Sequence, residues 1–375
     1  MRQTKPRARD LGIPFDGVPA ALNAITDIAG VEVGHTTLIS GEGNLEPGVG
    51  PVRTGVTAIL PRGKLCQLPV FAGWFSQNGN GEMTGTAWVE ESGLLDGPVM
   101  ITNTHSVGVV RDAVIAWRLE KNDVPVTTSG PGFWFSLPVV AETADLFLND
   151  INGFHVKPEH VFHALEAAEG GAVPEGNVGG GTGMVSFGFK GGIGTSSRRV
   201  DESNGGYTVG VLVQCNCGGR TQLRIAGAPV GIELQDEILP AREMSSFTGD
   251  TGSIIIIIAT DAPLLAHQLK RLARRATMGL ARTGSVSGNY SGDLLLAFST
   301  ANPDAGRPDA VVRLTMLSNN RIDPLFEATV QATEEAIINS LIAAETMIGI
   351  NDRRVIALPH EKLRDVLRKY NRLIE

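Results

Sequence analysis

Five consecutive isoleucines, Ile254 to Ile258, follow directly on Gly252-Ser253. A run so apolar and so β-branched suits a strand buried on both faces. Such a strand needs a layer of structure on each side, and therefore a large core. With 375 residues the chain can supply one, as one large domain or two of ordinary size. Ahead of the strand, Arg242 to Gly252 (REMSSFTGDTG) is polar and reads as a flexible linker. After it, Asp261 stands as a candidate N-cap and Pro263 in the first turn of a helix spanning 264–280.

Strand-like and helix-like stretches alternate along the rest of the chain. Strands are expected at 31–38, 55–60, 99–104, 184–189 and 207–214. Helices are expected at 107–121, 158–168, 326–347 and 360–370. The first helix carries Val107, Val110, Val114 and Trp117 on one stripe, at steps of three and four. The pattern is mixed α and β. Glycine is abundant, with 46 residues, which points to tight turns and close backbone approaches.

Charge narrows the function classes. The net charge is −8 and there is no long basic cluster, so neither nucleic acid nor an anionic membrane is an expected partner. No stretch approaches the roughly 18 apolar residues of a membrane span. The basic, polar N-terminus leads into no apolar core of a signal peptide. Three cysteines, Cys66, Cys215 and Cys217, make no disulfide framework, which fits the cytoplasm.

The chain lacks G-x-S-x-G and H-E-x-x-H, which disfavours the hydrolase elbow and the zinc protease helix. Residues 177–197 are Gly-rich. A phosphate loop there would need a lysine right after its last glycine, whereas Lys190 follows Phe189. His160 and His163 share a helix face, and Cys215 and Cys217 flank Asn216. Either pair could touch a metal, but each reads better as structural. Gly252-Ser253 offers more. If the chain breaks there, the new α-amino group of Ser253, with a pKa of about 7.7–8.0, can serve as base to the hydroxyl beside it. The buried strand would hold that nucleophile rigidly.

Several collinear segments carry a resemblance. They are RARDLGIPFDGVPAALNAITDIAGVEVGHTT (7–37), NGNGEMTGTAWVEESG (78–93), ITNTHSVGVVRDA (101–113), ETADLFLNDINGFHV (142–156), NVGGGTGM with KGGIGTSSR (177–198), VGVLVQCNCG (209–218), GSIIIIIATDAPLLAHQLKRLARR (252–275) and SGNYSGDLLLAFST (287–300). Together they resemble the self-processing serine aminopeptidases, which include the L-aminopeptidase D-amidase/esterase and the β-peptidyl aminopeptidases. The resemblance implies a four-layer α-β-β-α sandwich of N-terminal-nucleophile type and no metal or other cofactor. It implies a precursor cut into residues 1–252 and 253–375, which remain one structural domain and assemble as a homo-oligomer, a tetramer of cleaved pairs. Short peptides, amino-acid amides and esters would be the substrates. Ser253 would be the nucleophile, Asn216 the oxyanion donor, and Ser291 and Asp293 a polar pair near it. Glu142 would hold the substrate's free ammonium. Two positions depart from some relatives: Asp293 stands where those have Glu, and Ala144 where they have an aromatic residue. Two alternatives stay open, an acyltransferase related to the ornithine acetyltransferases and an inactive ligand-binding homologue.

Overall fold

The computed structural model describes residues 5–64, 68–121, 134–237, 252–307 and 311–375. The expected linker lies outside these residues except for Gly252. Two sheets form the centre. The first is built from β1 (Glu32–Ser40), β2 (Val52–Leu60), β5 (Val99–Thr102) and β6 (Val139–Glu142), in that order. The second has β3 (Val70–Ser76), β4 (Leu94–Leu95), β9 (Gly192–Arg199), β10 (Thr208–Asn216), β11 (Ser253–Thr260) and β12 (Asp293–Ser299), in the order β4-β3-β12-β11-β10-β9. A small hairpin joins β7 (Val185–Ser186) to β8 (Phe189–Lys190).

The isoleucine run is β11, and its period-2 alternation explains the layers. Ile255 and Ile257 face the gap between the sheets. There they meet Leu212, Leu294 and Leu296 from their own sheet and Ile59, Ile101 and Val139 from the other. Ile254, Ile256 and Ile258 face the opposite way. They pack under helices α5 (Ala266–Arg282), α6 (Asp323–Ile342) and α7 (His360–Lys369), against residues such as Leu272, Ala332 and Leu363. Helices α2 (Val107–Glu120) and α3 (Pro158–Glu166) cover the outer face of the four-stranded sheet through Val110, Val114 and Leu165. The result is the expected α-β-β-α stack. Helices α1 (Thr86–Ser92) and α4 (Val230–Glu233) are short additions. Among the described residues, no helix is long and apolar enough to cross a membrane.

Three local expectations change, at the start of α5, at Asp261 and over residues 184–189. Helix α5 begins at Ala266, not at Leu264. Asp261 does not cap it; its carboxylate accepts the Thr208 N–H at 2.8 Å, tying the end of β11 to the start of β10. Residues 184–189 are not one strand, because Phe187 and Gly188 both take positive φ (49° and 67°) and turn the chain back as a hairpin. Glu142 lies in neither a helix nor a loop. It ends β6, which lies parallel to β5.

Candidate active site

The antiparallel register of β10 and β11 sets Asn216, the last residue of one, opposite Ser253, the first of the other. Alternation turns both toward the space between the sheets, as it does Leu212, Ile255 and Ile257. On the other side of β11, β12 runs parallel to it and pairs Asp293 with Ile254. Asp293 therefore belongs to the helix-facing side with Leu295 and Ala297. Ser253, Ser291, Asp293 and Glu142 are all buried.

The Gly252–Ser253 peptide is held on every side. The Ser253 hydroxyl oxygen accepts the Gly292 N–H at 3.0 Å. The Ser291 hydroxyl lies between the Gly252 carbonyl oxygen and an Asp293 carboxylate oxygen, with one hydrogen for two acceptors. Asp293 thus reaches the Gly252–Ser253 peptide through Ser291. A side chain at residue 252 would not fit: a Cβ there would stand 1.7 Å from the Asn216 carbonyl oxygen, a backbone atom.

The Asn216 side chain is fixed at both ends. Its Oδ1 accepts the Val185 N–H at 2.8 Å, and its Nδ2 donates to the Ala144 carbonyl at 3.0 Å. A primary amide has two N–H donors, so one remains after Ala144 has taken its share. Ala144 contributes its backbone here, a contact independent of the side chain in which it departs from some relatives.

Glu142 lies across the gap on the other sheet. Its Oε1 accepts the Glu82 N–H at 2.9 Å, and its Oε2 accepts from the Thr104 hydroxyl. Burial pushes its pKa up, while Thr104, the Glu82 N–H and nearby His105 pull the other way. Gly81 is the spacer between the two halves of the site. A Cβ on it would sit 3.1 Å from Glu142 Oε1 and 3.2 Å from the Gly292 Cα. A second bridge lies deeper, where the Gln214 Nε2 donates to the Thr102 carbonyl (3.0 Å) and the Thr143 hydroxyl (2.9 Å).

All five residues singled out in the sequence converge around the same ends of the two sheets. Sequence reasoning missed Thr104, Gly292, Val185 and the Glu82 N–H. Three of these lie within segments quoted for the resemblance, but their roles depend on backbone approaches that spacing does not reveal. The other candidates take structural partners. His160 Nδ1 meets the Lys157 N–H, and His163 Nδ1 meets the Thr36 hydroxyl. Cys215 and Cys217 are buried within the helix-facing core, and Cys66 lies outside the described residues. Among the described residues, no group of three or more His, Cys, Asp or Glu could hold a metal ion.

Comparison with known proteins gives concordant matches. The model of peptidase family S58 matches residues 23–355. The beta-peptidyl aminopeptidase BapA of Sphingosinicella microcystinivorans is 57% identical over 98% of this chain and 93% of its own length. The structure of the L-aminopeptidase D-Ala-esterase/amidase of Ochrobactrum anthropi, described as a variant of the Ntn hydrolase fold, superposes with a TM-score of 0.90 at 47% identity. It covers 99% of this chain and 100% of that one. The beta-aminopeptidase of a Burkholderia species superposes with a TM-score of 0.87 at 46% identity, over 97% and 99% of the two chains.

Proposed function

This chain belongs to peptidase family S58, and we propose that it cuts itself between Gly252 and Ser253 and then works from Ser253. It is a hydrolase of the serine aminopeptidase kind, with the Ntn hydrolase fold. The family match favours hydrolysis over acyl transfer. The observation that carries the self-cutting reading is the grip on the Gly252–Ser253 peptide, with Ser291 on its carbonyl oxygen and Asn216 across the ladder.

In the self-cutting step the Ser253 hydroxyl oxygen attacks the Gly252 carbonyl carbon, and the C–N bond breaks. The acyl group passes from nitrogen to oxygen, and the hydroxyl proton ends on the new amine. Water then hydrolyses the ester, freeing residues 1–252 and exposing the Ser253 α-amine. In turnover, that amine takes the hydroxyl proton as Ser253 attacks the substrate's carbonyl, and later gives it to the leaving amine. The spare Asn216 N–H meets the oxyanion that forms. A donor of that kind is worth about 10²–10³ in rate. The Gly292 N–H favours the developing alkoxide on Ser253. Asp293 acts through Ser291 to orient the amine and favour its protonated form.

Glu142 receives the ammonium of an unblocked N-terminal residue, which fixes the register of short peptides, amino-acid amides and esters. The names of two relatives, a beta-peptidyl aminopeptidase and a beta-aminopeptidase, support adding residues with one additional backbone carbon to the candidate substrates. We carry the homo-oligomer, a tetramer of cleaved pairs, and a cytoplasmic setting as parts of the same reading.

Denaturing electrophoresis with intact-mass analysis tests it. The native chain is expected as two fragments, the smaller starting at Ser253. Ser253→Ala is expected as one 39.6 kDa chain without amidase activity. A normal cut in that variant refutes the assignment.

A further inference from the structure

Lys190 is 0% exposed, yet no carboxylate pairs with it among the described residues. Its ammonium donates to three backbone carbonyls: Met184 at 2.7 Å, Gly191 at 2.8 Å and Gly181 at 3.3 Å. An ammonium has three N–H donors, so three acceptors satisfy it in full. Burial, with a smaller contribution from the positive charge of Lys5, holds its pKa well below the ordinary lysine value. A buried cation is costly unless fully hydrogen-bonded, and an apolar side chain would fill this hairpin at lower cost.

The carbonyl that Lys190 grips most closely is that of Met184. That oxygen belongs to the same peptide group as the Val185 N–H, and this N–H donates to Asn216 Oδ1 at 2.8 Å. A hydrogen bond donated to the oxygen end of a peptide group polarises it and makes the N–H at its other end a stronger donor. We propose that Lys190 is a positioning residue for Asn216. By holding and polarising the Met184–Val185 peptide, it locks the Asn216 amide in the rotation that keeps Nδ2 toward Ala144 and the nucleophile. The Gly-rich stretch around it, unsuited to phosphate, becomes the frame of the oxyanion donor. This inference rests on the role proposed above for Asn216.

The test is a double-mutant cycle on Lys190→Met and Asn216→Ala. Activity is measured per cut, folded molecule on an amino-acid amide, with kcat and KM separated and the thermal midpoint recorded. Lys190→Met is expected to lower kcat about tenfold, with KM within about twofold, and to add nothing further in the Asn216→Ala background. Equal losses in both backgrounds, or an unchanged kcat, overturn the proposal. An unchanged kcat in Asn216→Ala alone overturns the reading of Asn216 instead, so the two failures are distinct. If Lys190→Met does not fold, Lys190→Gln, which keeps two N–H donors, carries the same comparison. Loss of the fold in both variants overturns a positioning role.

Discussion

Replacing Glu142 by Gln should weaken the enzyme for substrates with a free amine and leave the fold intact. Two donors hold the carboxylate, the Glu82 N–H at 2.9 Å and the Thr104 hydroxyl. A glutamine fits the same space. Its Oε1 can take the Glu82 N–H, and its NH₂ can face Thr104, whose hydroxyl turns to accept. The negative charge is then the main loss. A hydrogen bond to a charged group contributes about 1.5–3 kcal/mol, so kcat/KM should fall roughly 10- to 150-fold. The self-cut at Ser253 involves no ammonium and should proceed as before.

The pH profile sharpens this prediction. Burial raises the Glu142 pKa above its ordinary 4.5. Only the carboxylate attracts the ammonium, so kcat/KM falls as pH drops through that raised value. The Ser253 amine must be neutral to act as base, which adds its own acid limb below about 7.7–8.0. On a logarithmic plot, the slope of the native enzyme should steepen from 1 to 2 below the Glu142 pKa. Glu142→Gln should keep a slope of 1. The assay is amide hydrolysis from pH 4.5 to 9, beside a matched ester carrying a hydroxyl in place of the amine. A kcat/KM within threefold of native on the amine substrate refutes the reasoning, as does an equal loss on the hydroxyl analogue.

Gly252→Ala should slow self-cutting by at least tenfold, because its Cβ meets the Asn216 carbonyl oxygen at 1.7 Å and must displace the peptide from Ser291; time-resolved intact mass measures it, and a native rate refutes it. Asp145, pushed up to about 6 by burial, binds its proton more tightly in the folded chain than at its ordinary 3.8. Between those values the native state holds more protons, so its contribution lowers the unfolding free energy as pH rises from about 4 to 6. On going from pH 4.5 to 7, the urea midpoint of Asp145→Asn should rise more, or fall less, than that of the native chain, and an identical change in the two contradicts the assignment.

Local chemistry made much of the core legible. The isoleucine run could only be satisfied by cover on both sides, and its alternation divides between the inter-sheet and helix-facing cores. The Val107 stripe faces the four-stranded sheet, as its spacing demands. What stayed hidden depends on pairing across long separations. Residues 142, 82 and 104 meet at one carboxylate, and residues 185 and 216 meet at one amide. Asp261 misled because an N-cap and an acceptor for a neighbouring strand's N–H use the same carboxylate chemistry. Phe187 misled for a different reason, since a bulky residue at positive φ runs against local preference and is held there by the hairpin.

The position of the proposed cut also bears on how the fragments stay together. Residues 1–252 carry a net charge of −10 and residues 253–375 a net of +2, opposite signs that help the two associate while burial carries most of the energy. The topology assigns charge a smaller part. Strands β11 and β12 come from the second fragment, yet they lie in the middle of the six-stranded sheet, between β10 and β3 of the first. Two ladders therefore cross the fragment boundary, and helices α5 and α6 cover strands of both fragments. The charge that matters is local. Arg198 and Arg9 of the first fragment meet Glu335 of the second, at 2.7 and 2.8 Å, and the Arg198–Glu335 pair is fully buried. Apolar burial over the central strands supplies the larger attraction and needs no net charge difference. Breaking the Gly252–Ser253 peptide, at the end of this central strand, would free an amine without loosening the strand that carries it, and the proposed self-cutting nucleophile needs that rigidity.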